Sequence, residues 1–289
     1  MIEDYAFKDR KNITLVYISD GVKSIGNSAF ENCTSLTNVS IPTSVTSIGK
    51  AAFSGCTGLV KITVPSSVKV IEEYTFLNCK SLASVNISEG VTTIKKFAFK
   101  DCDALTQIII PKGVTTIGES AFETCNSLTS VVIPEGVTAI EAYTFWRCEN
   151  LESITLPDSV TRIVDNAFND TAYYNNYRAN WINGALYIGN HVIVAKSTLS
   201  YGYRITDGTK SIADSAFAFC YGITNITIPN SVTHIGAKAL NNCRGITTIV
   251  FRGTMSEWEA IQKDEDWNAN TGDYIIECTD GEIEKSADK

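Results

Sequence analysis

Residues 45–65 read VTSIGKAAFSGCTGLVKITVP, and this pattern of apolar positions returns every 23 residues along most of the chain. The phenylalanine position is occupied in turn by Phe30, Phe53, Phe76, Phe99, Phe122, Phe145 and Phe168. Cysteine keeps the same step at Cys33, Cys56, Cys79, Cys102, Cys125 and Cys148. A fixed period of this length is typical of a solenoid, in which each repeat buries its apolar face on its neighbours.

Each repeat contains one strand and one tighter turn. At the end of the quoted stretch Ile62 and Val64 alternate with Thr63, which predicts a short strand with two inward side chains and one outward. Pro65 then ends the strand. In residues 52–59 the apolar residues are three apart, which predicts a short helical or 3-10 turn on the opposite side of the coil. Stacked strands form a parallel sheet on one face, so the predicted fold class is an α/β repeat solenoid.

The rhythm fails after Phe168, where Thr171 takes the cysteine position. Residues 169–208 are predicted to form an irregular coil with a hairpin, because ALYI (185–188) and HVIV (191–194) flank a Gly-Asn pair, a good two-residue turn signal. This insert is rich in aromatic residues, among them Tyr177 and Trp181. Its rings either fill space that the regular ladder would fill, which we favour, or lie exposed as binding hot spots.

The repeat stops after Phe251, so we predict two parts. A solenoid of ten coils covers residues 1–251, and a C-terminal cap with a polar tail covers residues 252–289. Ser256 and Glu259 have the spacing of a capping box, which predicts a helix start, and Trp258 and Ile261 would share a face of that helix. Because IEDYAF (2–7) matches IGNSAF (25–30), the chain opens midway through a coil, and we expect a piece of a longer protein.

Eight of the nine cysteines occupy the repeat position, Cys220 and Cys243 included. One cysteine per coil forms a straight ladder, whereas zinc needs four converging ligands. Disulfides between neighbouring coils are conceivable. We expect buried free thiols instead, because cysteine serves well as a small apolar residue. The redox state of Cys278, the ninth, stays open.

Composition and motifs argue against several function classes. A net charge of -8, with scattered lysine and arginine, argues against a nucleic-acid groove. No apolar run reaches the roughly 18 residues of a membrane span. Neither His191 nor His234 has a nucleophile at a recognisable spacing, and no phosphate-loop, zinc-protease or calcium-loop motif is present. We therefore predict no enzymatic activity, no cofactor or metal, no nucleic-acid partner and no membrane insertion.

The outward strand positions form the candidate binding surface. They are mostly small and polar, with an apolar centre at Ile109 and Val132, which suits a protein or glycan ligand better than a phosphate backbone. Small polar residues also suit a plain solvated strand, so a surface without a ligand is the alternative. The candidate ligand-binding residues are Tyr17, Asn86, Gln107, Ile109, Val132 and Arg204 on strands, with Tyr177 and Trp181 in the insert.

The Leu-x-x-Ile-x-Ile strand with its Ala-Phe-x-x-Cys turn resembles leucine-rich repeats, and the 23-residue form resembles the BspA-type repeats of bacterial and protozoan surface proteins. The resemblance covers nearly the whole chain. It implies a right-handed leucine-rich-repeat superhelix, secreted or displayed at the cell surface, with a role in adhesion. The predicted function is a non-enzymatic binding module whose sheet face engages a host or microbial surface protein or an extracellular-matrix protein. The alternatives are a glycan-binding module that uses the aromatic insert and a passive surface spacer.

Overall fold

The computed structural model describes residues 1–284, and the chain divides into two compact units. Unit 1 comprises residues 1–160 and 166–175, and unit 2 comprises residues 161–165 together with the chain from Asn176 onward. Residues 285–289 of the predicted polar tail lie outside the described part of the chain.

Unit 1 contains two rows of short strands that alternate along the chain. In chain order the strands are β1 (Leu15–Tyr17), β2 (Ser24–Ile25), β3 (Asn38–Ser40), β4 (Ser47–Ile48), β5 (Lys61–Val64), β6 (Val70–Ile71), β7 (Ser84–Ile87), β8 (Thr93–Ile94), β9 (Thr116–Ile117), β10 (Ser130–Val132), β11 (Ala139–Ile140) and β12 (Ser153–Thr155). The first row, which we call the sheet face, forms a four-stranded sheet β1-β3-β5-β7 and a pair β10-β12. The second row holds β2-β4 and β6-β8-β9.

Strand pairing follows the sequence repeat. All pairs in the two rows of unit 1 are parallel, and the paired residues are 23 positions apart, as in Thr63 with Asn86. Ile62 and Val64 point into the core while Thr63 is exposed. The prediction of parallel strands with this alternation is confirmed, because any other register would move the apolar residues to the solvent side.

Phenylalanine and cysteine ladders fill the core of unit 1. The rings from Phe7 to Phe168 stack one on the next, with centroids 5.1 to 5.8 Å apart. Each buried thiol donates a hydrogen bond to the phenylalanine carbonyl of the preceding coil; the Cys79 Sγ lies 3.2 Å from the Phe53 oxygen. Burial raises the pKa of these thiols, and it does so strongly for Cys102 and Cys125.

The turns opposite the sheet face are not helical, so the prediction of helical or 3-10 turns is not supported. Every second backbone N–H in this segment bonds to the next coil: Ala51 N donates to Glu73 O and Phe53 N to Thr75 O, both at 2.9 Å. In a helix these N–H groups would bond to carbonyl groups of the same coil. Ala51 and residues like it accordingly adopt positive φ values, here 55°. The fold is a parallel-strand β-solenoid with little helix, and the α/β class is not borne out.

Unit 2 contains two larger sheets and one of the helices. Its strands are β13 (Arg162–Ile163), β14 (Trp181–Ile182), β15 (Ala185–Ile188), β16 (His191–Ala195), β17 (Ser200–Arg204), β18 (Ser211–Ile212), β19 (Gly222–Ile228), β20 (His234–Ile235), β21 (Thr248–Phe251), β22 (Gln262–Lys263), β23 (Ile275–Cys278) and β24 (Gly281–Glu284). The helices are α1 (Ala172–Asn175), in unit 1, and α2 (Met255–Ala260). The sheets run β14-β15-β16-β18-β20-β22 and β17-β19-β21-β23-β24. The predicted hairpin is present, because β15 and β16 pair antiparallel across Gly189, whose φ is 54°.

The N-cap of helix α2 lies two residues earlier than predicted. Thr254, not Ser256, is the N-cap: its Oγ1 accepts from Glu257 N, and the Glu257 carboxylate accepts from Thr254 N. Trp258 and Ile261 are both buried, as their shared face predicts. The Trp258 ring packs edge-on against Phe251 and Trp267, at 5.4 and 5.9 Å.

The capping box gives a direct test of where this helix begins. We expect Thr254→Ala to lower the free energy of unfolding by about 1 kcal/mol, because the Glu257 backbone N–H loses its acceptor, the Thr254 Oγ1. Ser256→Ala, at the position the sequence favoured, should change it by only a few tenths. Urea denaturation of both variants measures the difference, and a larger loss for Ser256→Ala would contradict the assignment.

Candidate functional site

The sheet face of unit 1 presents a row of exposed side chains, one or more from each coil. Tyr17, Ile109 and Val132 are 76%, 80% and 62% exposed, respectively, and Asn86 is also exposed. Gln107 lies two residues before Ile109 on the same face and is exposed too. Five of the eight predicted site residues therefore lie on one surface of unit 1.

The sheet face is interrupted at Ile109. Strand β7 is the last in the four-stranded sheet, and β10 begins the next pair. Between them, Gln107 forms a single isolated bridge with Ser130, and residues 108–110 belong to neither sheet. Burial still alternates there, with Ile108 and Ile110 inward. Residues 108–110 thus lack ladder pairing on this face, whereas β8 and β9 remain paired on the adjoining row.

Two clefts open where the sheet is interrupted. One, of about 530 Å³, lies between β7 and Ile109 and is lined by Asn86 and Gln107. The other, of about 740 Å³, lies between Ile109 and β12 and is lined by Val132 and Thr155. Ile109 forms a wall of both; the first cleft adds small polar side chains to it, and the second adds the apolar side chains of Val132 and Leu156.

Charged residues line the edge of these clefts. Glu89, Lys112 and Glu135 occupy the same position on consecutive coils, two residues after the last inward residue of each strand segment. All three are exposed. Within the described chain none of the three has an ion-pair partner, so two carboxylates and one ammonium group remain available to a ligand.

Arg204 lies on the sheet of unit 2, at the end of β17. Its guanidinium Nη2 is 2.7 Å from the Asp207 carboxylate, and both side chains are largely exposed. Arg204 is in register with Thr227 of β19, which pairs in turn with Val250 of β21. Its charge is therefore partly neutralised by Asp207 before any ligand arrives.

The aromatic insert divides between the two interpretations that the sequence left open. Tyr187 and Tyr203 are buried, with their hydroxyls 3.3 Å apart, and so fill space in unit 2. Tyr177 is 52% exposed, and its ring centroid lies 5.1 Å from that of Trp181 at a tilt of 35°. The ammonium of Lys196 lies 5.0 Å from the Tyr177 ring and 5.5 Å from the Trp181 ring. Trp181 itself is half-buried, and the two rings already hold a cation of their own chain.

A second polar cluster lies in unit 2. The Arg162 guanidinium approaches the Asp214 carboxylate at 3.4 Å and the Asp264 carboxylate at 3.5 Å, and His234 Nε2 lies 3.1 Å from Asp264. Burial raises the pKa of Asp214, while Arg162 and the Ala237 amide act to lower it. The cluster joins β13, β20 and the segment after β22, and it does not line either cleft beside Ile109.

Residues 1–284 carry neither a clustered set of metal ligands nor an apolar helix of membrane-spanning length. In that range no group of three or more histidine, cysteine, aspartate or glutamate side chains is arranged to hold a metal ion. No helix there has the length and apolar character needed to cross a bilayer.

Sequence reasoning missed the cleft-edge charges and Lys196. Glu89, Lys112 and Glu135 share one position after the strand, and this signal is visible in the repeat. Lys196 had no such signal, because it reaches Tyr177 and Trp181 only through the fold of the hairpin.

Comparison with known proteins agrees with the repeat geometry. The family described as BspA type leucine rich repeat region matches residues 1–127, 92–201 and 195–260. A leucine-rich repeat protein from Bacteroides ovatus is 26% identical, with a TM-score of 0.57, over 91% of this chain and 71% of its own. The leucine-rich repeat protein of T. pallidum is 34% identical, with a TM-score of 0.52, over 55% of this chain and 77% of its own. No functionally curated protein matches the sequence. On the strength of these matches and of the strand register, the chain belongs to the BspA-type leucine-rich-repeat family.

Proposed function

We propose that this chain is a non-enzymatic binding module that engages another protein through the sheet face of unit 1. The observation that carries the proposal is the exposed apolar pair Ile109 and Val132, at the interruption of an otherwise small and polar face. An exposed apolar patch rimmed by polar residues is a common mark of an interaction surface. The partner that we propose is a host or microbial surface protein or an extracellular-matrix protein.

The energetics favour a protein ligand. Complete burial of one isoleucine or valine side chain contributes about 1.5 to 3 kcal/mol. Ile109 and Val132 together therefore supply roughly 3 to 6 kcal/mol, which compares with the net free energy of about 8 kcal/mol in a micromolar complex. Their backbone is already held by the solenoid, so little conformational entropy is lost on binding.

The family supports the setting of this function. Leucine-rich repeats form a protein-interaction fold, and this chain is related to leucine-rich-repeat proteins of bacteria. The sequence resemblance to BspA-type surface proteins adds display at the cell surface or secretion. We propose accordingly that the chain is an adhesin segment that carries no catalytic activity of its own.

The test is a binding measurement against a panel of immobilised extracellular-matrix proteins. We expect the double variant Ile109→Asp, Val132→Asp to lose at least tenfold in affinity for the proteins that the parent binds, because two buried charges would oppose docking. The matched control, Ser40→Asp with Thr63→Asp, adds the same charges elsewhere on the face and should lose less than about threefold. Equal losses in both variants, or none in either, would contradict the proposal.

The sequence leaves two other functions open. A glycan-binding role would use Tyr177 and Trp181, but the Lys196 ammonium occupies the space over both rings. A passive spacer would leave Ile109 and Val132 without a role. We expect Tyr177→Ala with Trp181→Ala to leave protein binding unchanged and a glycan array to show no specific signal. Glycan binding lost in that variant would favour the first of these alternatives.

A further inference from the structure

We infer that the clefts beside Ile109 take an extended peptide segment of the partner, with an apolar side chain flanked by lysine or arginine. This inference rests on the proposed function and specifies the chemistry of the partner at the same site. It names a peptide, and not a folded convex surface, as the element that enters the sheet interruption.

Residues 108–110 lack the strand pairing that the other coils have on the sheet face. Residues 108–110 keep the alternation of a strand, with Ile109 exposed between two buried isoleucines, yet they belong to neither neighbouring sheet. The β7 strand ends the four-stranded sheet on the same side. In the described chain residues 108–110 have no ladder partners on this face, so their backbone groups are open to hydrogen bonds from a segment laid over Ile109.

The shape of the surface beside Ile109 also suits an extended segment. The clefts of about 530 and 740 Å³ lie on either side of Ile109, so the isoleucine stands as a ridge between two hollows. Side chains of an extended segment alternate, and those that face the protein lie about 7 Å apart. A segment laid over Ile109 can therefore place one side chain in each hollow and pack its apolar atoms against Ile109 and Val132.

The charged side chains along the cleft edge favour a basic partner. Glu89 and Glu135 flank Lys112 along the cleft edge, all three without an ion-pair partner in the described chain. The unpaired groups carry a net negative charge, in a protein whose total is -8. Complementary cations on the partner would steer association and fix its position, an effect that weakens as salt screens exposed charges.

The experiment is selection from a random dodecapeptide library displayed on phage, using the full chain as bait. The expected peptides are enriched in leucine, isoleucine, valine or phenylalanine next to lysine or arginine. Binding of the recovered synthetic peptides is then measured by fluorescence anisotropy. Ile109→Ser with Val132→Ser should weaken it at least tenfold, while Tyr17→Ser on the same face should change it less than twofold.

A separate set of variants tests the contribution of the cleft-edge charges. Glu89→Gln with Glu135→Gln should weaken the selected peptides about three- to tenfold at low salt, and less at high salt. Lys112→Gln should leave affinity unchanged or raise it. All these variants replace exposed side chains with polar, uncharged ones, so circular dichroism should show the parent fold.

The outcomes separate this inference from the function on which it rests. Enriched peptides that are acidic, or that ignore the glutamine variants at low salt, would overturn the inference. If no peptide is enriched but matrix-protein binding is still lost in Ile109→Asp, Val132→Asp, the inference falls and the proposed function stands. If neither peptide nor matrix protein depends on Ile109 and Val132, both fall.

Discussion

Between about pH 9 and pH 11 the chain is expected to lose much of its free energy of unfolding, because its buried thiols cannot ionise in place. Burial raises the pKa of Cys148 and Cys220 to about 12, and it raises the pKa of Cys79, Cys102 and Cys125 well above its ordinary value. In an unfolded chain a thiol titrates near pH ~8.5. Above that pH the unfolded chain has released protons that the folded chain still binds.

The sign follows from proton linkage. The stabilisation is fully present below the unfolded pKa, and it is lost as pH rises towards the folded pKa, because unfolding then releases protons. Each such thiol lowers the free energy of unfolding by about 1.4 kcal/mol per pH unit, so five of them lower it by roughly 7 kcal/mol per unit. A typical domain has only about 5 to 15 kcal/mol in total. Two pH units therefore suffice for unfolding.

Urea denaturation at successive pH values measures this slope. Cys102→Ala with Cys125→Ala should reduce the slope by about 2.8 kcal/mol per pH unit, whatever the variant does to stability at pH 7. Cys278→Ser is the control, since that thiol is only partly buried and belongs to no ladder. A slope that appears only after addition of a reductant would show that the ladder cysteines are disulfide-bonded, and an unchanged slope in the alanine variant would contradict the linkage argument.

Phe99→Ala is expected to cost about 3 to 5 kcal/mol of the free energy of unfolding, the usual cost of truncating a buried phenylalanine. The ring is fully buried between Phe76 and Phe122, with centroids 5.2 and 5.3 Å away. Coils of a solenoid contact only their neighbours, so the cavity weakens both interfaces of this coil. In urea the transition midpoint should fall.

Phe97 provides a matched control two residues away. Its ring is only half-buried and stacks on Tyr74 at 5.0 Å, on the surface of the turns. Phe97→Ala should cost no more than about 1 kcal/mol, although it removes the same atoms. Equal losses from Phe97→Ala and Phe99→Ala would show that burial in the phenylalanine ladder is not what stabilises the coil.

The strand register was readable from the sequence because one offset satisfies all the periodic residues. Thr63 faces Asn86, and Ser130 faces Ser153, as the 23-residue step requires. The turn conformation was not readable. Tyr74 and Phe97 adopt φ values of 60° and 59°, a region that bulky residues seldom enter. The bonds that hold them there, from Tyr74 N to Lys96 O and from Phe97 N to Glu119 O, exist only once the coils are stacked.

The candidate site shows the same division. The exposure of Ile109 and Val132 followed from alternation, and the structure places both on the sheet face. The interruption beside Ile109 did not follow, because residues 105–111 match the repeat as well as their neighbours do.

The predicted position of the α2 N-cap was wrong for a different reason. Two overlapping capping boxes were available, Thr254 with Glu257 and Ser256 with Glu259. The Asp280 carboxylate, distant in sequence, accepts from Met255 N at 2.8 Å and so favours the first.

The offset of 23 also governs how such a chain can change over generations. In unit 1 the strand pairs and ring stacks join a residue to its counterpart 23 positions away, and the thiol hydrogen bonds and turn ladders join adjacent coils at their own constant offsets. A copying error that duplicates or deletes one whole repeat therefore gives every surviving residue an equivalent neighbour. An error of any other length shifts all the ladders at once. Heredity can lengthen or shorten this protein by whole repeats, and each added coil brings a new stretch of sheet face on which selection can act.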